Sequence, residues 1–487
     1  MIAVRKPHYT RGLSRSWLIV PVLILYLFGL GRVGFLGPDE PRYASIGRDM
    51  AHTGDWITPR LDGQPWFEKP PLLYWMVATG RIAHLPDEQA ARIPVALASV
   101  AFLIFFFQMM TREFSPGTAT TATAILATSA GWLAYSSVAV TDLAMSATLA
   151  AAMLLALFET RRKQGYVAGA LLGLSILAKG FVPVVLFAPM FLVARGKRLA
   201  MLAGGILVAA PWYVLCLVRN GPAFWHEFFW KQHVERFFTP ALQHVQPFWY
   251  YIPILLAGMF PWTPLMALLV RGKTYDDVRV RFLTGWLIFA LAFFSAARNK
   301  LPGYMLPLLP PLAIVMAFAL KNAGKQAKWW LAASTLLLLA LPAVMGALPD
   351  ALLVGGTRAH LSFLPLPIPA LLFVVAAAAV WWLSWRDRPV LAVLAAAGTI
   401  FLSVTYERWK IYPVLDQRVS VRGFWRANEA QAAGACIDGV RREWEYGLNY
   451  YAGHALPQCD AAAHVRIVVK DGHLALAMPP VATVTSR

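Results

Sequence analysis

The chain has 487 residues, of which 58% are hydrophobic and 14% are charged, and its mean hydropathy is +0.55. This composition excludes an ordinary soluble globular protein and indicates a membrane protein. The net charge of +19 does not indicate nucleic-acid binding, because most basic residues lie in short clusters between apolar runs and form no basic stripe interleaved with aromatic residues.

Thirteen apolar segments follow one another along the chain, and most of them have the length that crosses a bilayer as a helix. The expected fold class is therefore an all-α polytopic membrane protein. Alternate connections carry clusters of Lys and Arg, which the positive-inside rule assigns, together with the N-terminus, to the cytoplasm. The predicted segments are residues 16–35, 93–111, 118–136, 139–158, 165–178, 180–194, 199–218, 248–270, 282–297, 303–320, 329–348, 366–385 and 389–406.

The first connection on the outer side, residues 36–92, is long and carries aromatic residues and charges of both signs. This pattern predicts amphipathic helices that lie on the membrane surface. An odd number of spans places the C-terminal tail on the outer side as well. We therefore expect a transmembrane unit at residues 1–406 and a small outer domain at residues 407–487.

The tail differs in composition from the apolar segments. Its stretch "HVRIVVKDGHLALAM" predicts two strands joined by a turn at Asp471-Gly472, and hence a small α/β domain. Cys436 and Cys459 both fall in this tail. An oxidising compartment would permit them to pair, but the sequence alone leaves the pairing open.

Ionisable residues collect on the predicted outer side, in six separate stretches. Residues that merely snorkel would scatter over both faces of the membrane, so this bias indicates a functional site. Structural alternatives stay open, such as first-turn helix charges, a helix cap at Asp142 and snorkelling lysines. The candidate residues are Asp39, Glu40, Arg42, Glu68, Lys69, Asp142, Lys179, His233, Arg298 and Lys300.

Carboxylates and cations at one membrane surface suit the transfer of a group from a lipid phosphate. The leaving phosphate gains negative charge, which Arg42, Lys69 and Lys179 would stabilise. Asp39 would take the proton of an acceptor hydroxyl, or orient an acceptor phosphate that is already nucleophilic. The sequence contains no phosphate-binding loop of the type G-x-x-x-x-G-K-[ST], so no nucleotide site is expected.

Six stretches resemble the polyprenyl-phosphate-dependent membrane glycosyltransferases of the GT-C class, which include protein O-mannosyltransferases and the aminoarabinose transferases of lipid A. The long first stretch looks closest to the aminoarabinose branch. The resemblance implies a GT-C fold and an inverting transfer on the periplasmic face of a bacterial inner membrane. The stretches are "PDEPRYASIGRDMAHTGDWITPRLDGQPWFEKPPLLYW", "VTDLAMS", "LAKG", "FFWKQHVERF", "FPWTP" and "KLPGYMLPLLPPLAI".

The resemblance also implies roles for individual residues. Asp39 matches the catalytic acidic residue after the first span, and Asp142 matches a second acidic position. Lys69 matches a lysine that contacts phosphate, and Tyr304 matches a tyrosine near the donor. Glu40, Arg298 and Lys300 are further candidates for substrate contact. Glu68 and His233 match positions able to hold a divalent metal ion, but two ligands make an incomplete site, so no cofactor is required.

The expected function is the transfer of 4-amino-4-deoxy-L-arabinose from a polyprenyl phosphate, such as undecaprenyl phosphate, to lipid A. Another periplasmic acceptor with the same donor type, as in a protein O-mannosyltransferase, is the first alternative. A lipid or sugar transporter is an alternative of another class. Transporters usually carry charges near the bilayer midplane and show internal repeats, and neither feature is visible in this sequence.

Overall fold

The computed structural model describes residues 19–159, 161–235, 246–270, 272–354, 370–460, 465–470 and 472–477, and it is mostly helical. Helices of the first half of the chain are α1 Ile19–Leu27, α2 Asp39–Thr53, α3 Leu72–Ile82, α4 Asp87–Glu113, α5 Pro116–Ala127, α6 Ala130–Tyr135, α7 Thr141–Phe158, α8 Arg162–Lys179, α9 Val182–Val193 and α10 Arg198–Phe224, which leads into a π-helix at Trp225–Glu235. Helices of the second half are α11 Tyr251–Gly258, α12 Val278–Ala296, α13 Leu309–Lys321, α14 Ala327–Leu336, α15 Leu341–Val354, α16 Ala370–Trp385, α17 Pro389–Lys410, α18 Tyr412–Val419, α19 Arg422–Ala432 and α20 Arg442–Ala452. Short 3₁₀ helices at Thr263–Val270 and Pro302–Leu308 connect some of these elements.

Each predicted apolar segment contains helical structure among its described residues, and residues 16–18 and 366–369 lie outside the described ranges. Within the described residues, six helices are long and apolar enough to cross a membrane. A seventh is added if the pair Phe248–Gly258 and Thr263–Val270, bent by 117°, counts as one span. A multi-pass membrane protein is thus confirmed, whereas the number of thirteen spans stays a prediction.

Segment 118–136 shows why an apolar run need not be one helix. The run is divided into α5 and α6 at Thr128 and Ser129, whose hydroxyls donate hydrogen bonds back to the carbonyls of Ala124 and Leu126. Such side-chain bonds compete with the helical backbone pattern. The freed amide of Ala130 donates to the Phe260 carbonyl at 2.8 Å, and hydropathy alone gives no sign of this contact.

The outer segment 36–92 folds onto the helix bundle. Between α2 and α3, strands β1 Arg60–Leu61 and β2 Gln64–Pro65 form a hairpin. Its turn residues both have positive φ, as a type I′ turn requires. α2 packs closely on α3, since a Cβ on Gly47 would lie 2.5 Å from the Val77 side chain.

The C-terminal segment has its own small core around Trp425, Trp444 and Leu448. Its sheet has the order β3-β4-β5, with β3 parallel to β4 and β4 antiparallel to β5. The predicted hairpin is present, although Asp471 of its turn lies outside the described residues. Cys436 and Cys459 form a disulfide bond. The strands are β3 Cys436–Ile437, β4 Arg466–Lys470 and β5 His473–Ala477.

Candidate active site

The first turn of α2 organises one group of charges around Arg42. The Arg42 guanidinium contacts the Asp39 carboxylate and donates to Glu68 Oε2 at 3.0 Å and to the Pro38 carbonyl at 3.0 Å. Glu68 Oε1 accepts from Lys69 Nζ at 3.1 Å. We call Asp39, Arg42, Glu68 and Lys69 the first charge cluster. Burial lowers the pKa of Arg42, but the Glu68 and Asp39 carboxylates outweigh it and raise that pKa above its ordinary value.

Exposure distinguishes the members of the first charge cluster. The Arg42 side chain is 5% exposed and Glu68 is 18% exposed, whereas Asp39 is 46% exposed. Arg42 therefore lies behind the two carboxylates and fixes their positions. Asp39 is the member that an incoming molecule can reach from solvent.

A second charge cluster joins α7 to α8. Asp142 lies in the first turn of α7, Lys179 is the last residue of α8, and their side chains form an ion pair. The Tyr304 ring centre lies 4.8 Å from Lys179 Nζ, within the range of a cation–π contact. A Cβ on Gly303 would lie 2.3 Å from Asp142 Oδ1, so only glycine allows the chain before Tyr304 to approach this carboxylate.

Glu68 and Lys69 of the first charge cluster and Lys179 of the second line one cavity of about 110 Å³, whereas Asp39, Arg42 and Asp142 are not among its lining residues. Its apolar part includes Met145, Phe228, Phe293 and Phe294. A cavity with two lysines on an apolar wall suits a phosphate carried by a hydrocarbon chain. Its polar lining residues are Glu68, Lys69, Lys179, Gln232, Asn299 and Tyr304.

The structure brings Tyr304 to the cavity but not two of its predicted neighbours. Arg298 is exposed and is not among the residues that line the cavity. Lys300 is 5% exposed, and its ammonium donates to the carbonyls of Gln246, at 3.1 Å, and Ala297. Burial lowers the pKa of Lys300. Lys300 therefore holds backbone segments together instead of contacting a substrate in this cavity.

The position of Glu40 differs from the substrate contact that the sequence predicts for it. Its side chain is fully buried, and its two oxygens accept from Arg92 Nε at 2.7 Å and Arg92 Nη2 at 2.6 Å. They also accept from the backbone amides of Leu36 and Ala139, each at 2.8 Å. These four hydrogen bonds occupy the carboxylate, so Glu40 joins α2, α4 and the chain before α7, and does not reach a substrate.

Of the two predicted metal ligands, the side chain of Glu68 is described. No group of three His, Cys, Asp or Glu side chains within the described ranges is placed to hold a metal ion. The side chain of His233 lies outside what the structure describes. Glu68 contacts the cations of Arg42 and Lys69, so its charge is already compensated. A metal ion held by Glu68 and His233 therefore stays a prediction.

Two residues beside the candidates, Arg92 and Asn299, are not indicated by the sequence patterns. Arg92 precedes the apolar segment 93–111 and looked like its boundary, although a charge beside an apolar run is itself a sign of a buried partner. Asn299 lies between the candidates Arg298 and Lys300, and the pattern of ionisable residues does not indicate it because it carries no charge. Only the backbone path after α12 turns Asn299, and not its neighbours, towards the cavity.

Three comparisons bear on this site. A family model described as dolichyl-phosphate-mannose-protein mannosyltransferase matches residues 68–225. The chain is 34% identical over 336 residues to the undecaprenyl phosphate-alpha-4-amino-4-deoxy-L-arabinose arabinosyl transferase of Serratia proteamaculans. The aligned region covers 63% of this chain and 60% of that protein. The protein of the same name from Edwardsiella ictaluri is 34% identical over 338 residues, 64% of this chain and 61% of its own length. The chain thus spans about three fifths of the length of these relatives.

Among solved structures, the chain resembles ArnT from Cupriavidus metallidurans bound to undecaprenyl phosphate, with a TM-score of 0.72 and 23% identity. The match covers 92% of this chain and 87% of that protein. The chain has the GT-C fold. The resemblance expected from the sequence is therefore confirmed.

Proposed function

We propose that the chain is an inverting glycosyltransferase that moves 4-amino-4-deoxy-L-arabinose from undecaprenyl phosphate to lipid A. The observation that carries this proposal is the cavity into which Lys69 and Lys179 both project, each paired with a carboxylate. The names of the similar transferases supply the sugar and the lipid carrier. The acceptor is assigned by the resemblance to the aminoarabinose branch.

In the proposed reaction an acceptor oxygen attacks the anomeric carbon from the side opposite the phosphate. The bond between that carbon and the phosphate oxygen breaks, and its electron pair leaves with the phosphate. Lys69 and Lys179 stabilise the charge that grows on the phosphate, and a preorganised cation is most effective in such a partly buried position. Glu68 and Asp142 hold these two lysines in place.

Asp39 acts on the acceptor, because it is the most exposed carboxylate of the first charge cluster. With a hydroxyl acceptor it takes the proton as the new bond forms. With a phosphate acceptor, already an anion at neutral pH, no proton has to move and Asp39 orients the attacking group. Arg42 binds the carboxylates of Asp39 and Glu68, so we assign the phosphate contact that the sequence predicts for Arg42 to Lys69 and Lys179 instead.

The decisive experiment is sugar transfer in vitro from the purified lipid-linked donor. Asp39→Asn is expected to lower kcat at least about 100-fold with a hydroxyl acceptor, the size of a lost general base, and by a smaller factor with a phosphate acceptor that Asp39 only orients. Asp62→Asn is the matched control, because Asp62 lies on the exposed hairpin turn with φ of 51°, where asparagine is also tolerated. Full activity of a folded Asp39→Asn protein contradicts the assignment.

A second candidate is transfer of mannose to a protein, which the match of residues 68–225 to the mannosyltransferase model favours. The same purified protein is offered each lipid-linked sugar in turn, with lipid A and with protein acceptors. Transfer of mannose to protein, with none of aminoarabinose to lipid A, would replace the first proposal with the second.

We also place the cavity on the periplasmic side of the inner membrane, with thirteen spans, the N-terminus in the cytoplasm and residues 407–487 as a periplasmic domain. The disulfide of Cys436 with Cys459 supports this orientation, because such bonds persist in oxidising compartments. In a Cys216→Ser background, a membrane-impermeant thiol reagent should label Ala430→Cys in intact spheroplasts but not Gly196→Cys. The opposite labelling contradicts this topology.

A further inference from the structure

The C-terminal helix α20 is held firmly against the outer segment. Arg48 on α2 donates to the Tyr450 carbonyl at 2.7 Å. The Tyr450 hydroxyl donates to Asp87 Oδ1 at 2.9 Å, and the Tyr451 hydroxyl donates to Glu88 Oε1 at 2.7 Å. Three polar contacts thus tie α20 to α2 and to the start of α4, so its position relative to the first charge cluster is defined.

One side chain of α20 reaches Arg42 itself. The Arg42 Cζ atom lies 5.1 Å from the ring centre of Tyr446. The rings of Trp66, at 5.6 Å, and Tyr43, at 5.8 Å, are also close. Of these three rings, that of Tyr446 comes from the C-terminal segment and lies closest to the guanidinium.

We propose that Tyr446 is a positioning residue for sugar transfer, acting through Arg42 on the carboxylates of Asp39 and Glu68; this inference rests on the proposed function. The carboxylates bind the edge of the guanidinium and restrain it within its plane. An aromatic ring beside a guanidinium attracts its charge and restrains motion out of that plane. Without the Tyr446 ring, the closest of the three, the restraint on Arg42 out of its plane weakens, and the two carboxylates that it holds are less firmly positioned.

The C-terminal segment thereby becomes part of the catalytic apparatus instead of an appended domain. Arg42 is 5% exposed, so Tyr446 cannot be replaced by solvent without rearrangement. The consequence is a defect in turnover, because Asp39 and Lys69 would be displaced in the transition state while the apolar wall that holds the lipid chain stays intact.

The experiment compares Tyr446→Leu, which removes the aromatic face, with Tyr446→Phe, which keeps it. Tyr446→Leu is expected to lower kcat about 10-fold, within the range of a desolvated cation–π contact, with KM for the lipid-linked donor changed less than about twofold. Tyr446→Phe is expected to retain most of the activity. Tyr166→Leu, on an exposed ring of α8, is the control for loss of an aromatic side chain.

All variants are assayed well below their unfolding temperatures, so that loss of folding does not mimic loss of turnover. Wild-type turnover in Tyr446→Leu, or an equal loss in Tyr446→Phe and Tyr446→Leu, overturns the inference and leaves the proposed function in place. A rise in donor KM without a fall in kcat also overturns it. If the wild-type protein transfers no sugar, the proposed function fails and this inference fails with it.

Discussion

Substitution of Glu40 by alanine should destabilise the protein severely. The change leaves the Arg92 guanidinium, 2% exposed, without its carboxylate, and breaking such a buried pair costs about 3–5 kcal/mol. It also removes the acceptor of two backbone amides, Leu36 and Ala139, each worth about 1–3 kcal/mol when buried. These costs are not additive, but about 3 kcal/mol is a lower bound and a large part of a typical native stability of about 5–15 kcal/mol.

The assay is unfolding of the purified protein in detergent, followed by near-UV circular dichroism. The double variant Glu40→Ala/Arg92→Met should recover much of the loss, because it removes both buried charges together. Glu227→Ala is the control, since its ion pair with Lys231 is an exposed contact four residues apart along the π-helix, where a loss of less than about 1 kcal/mol is expected.

Two results would refute this reasoning. If Glu40→Ala unfolds under the same conditions as the wild type, the buried pair of Glu40 and Arg92 does not stabilise the fold as its geometry indicates. If Glu40→Ala is stable but inactive, Glu40 contacts a substrate, and the role expected from its place beside Asp39 is restored.

Three further predictions follow from single contacts. Lys179→Met should lower kcat about 100-fold, because it removes a cation from the cavity, and Lys179→Arg should lower kcat less. Equal kcat values of the two variants in a transfer assay would contradict the role of Lys179 in phosphate binding. Gly303→Ala places a Cβ 2.3 Å from Asp142 Oδ1, so transfer should fall while far-UV circular dichroism is unchanged, and wild-type transfer would show that the position of Asp142 is unimportant. Replacing Cys436 and Cys459, 23 residues apart, with serine should lower stability by about 3 kcal/mol on the chain-entropy estimate, and an unchanged denaturant midpoint would count against it.

Much of the fold was predictable because its main signals are local. A bilayer imposes a minimum length and an apolar composition on each span, so the thirteen segments could be located from hydropathy alone. The difference in Lys and Arg content between alternate connections is likewise a local property of the sequence. The prediction was too coarse for 118–136, where the helix ends at Ala127 and the Ala130 amide donates to the distant Phe260 carbonyl, a contact that hydropathy does not measure.

The candidate site was only partly predictable. Asp39, Lys69, Asp142 and Lys179 were predicted because ionisable residues collect on one side of the membrane. The structure brings them into two clusters, from which Lys69 and Lys179 line one cavity. The sequence could not show that Arg42 would be enclosed by Tyr446, because the two residues meet only after the C-terminal segment folds back on α2.

Asp39 and Glu40 show where local information ends. The sequence predicted both carboxylates at one membrane surface, and only the family resemblance singled out Asp39 as catalytic. In a helix, consecutive side chains point about 100° apart, so α2 directs Glu40 inward to Arg92, 52 residues further along the chain, and leaves Asp39 46% exposed beside Arg42. Hydropathy and charge follow from each residue and its neighbours, whereas the partner that neutralises a buried charge is decided by packing between distant segments.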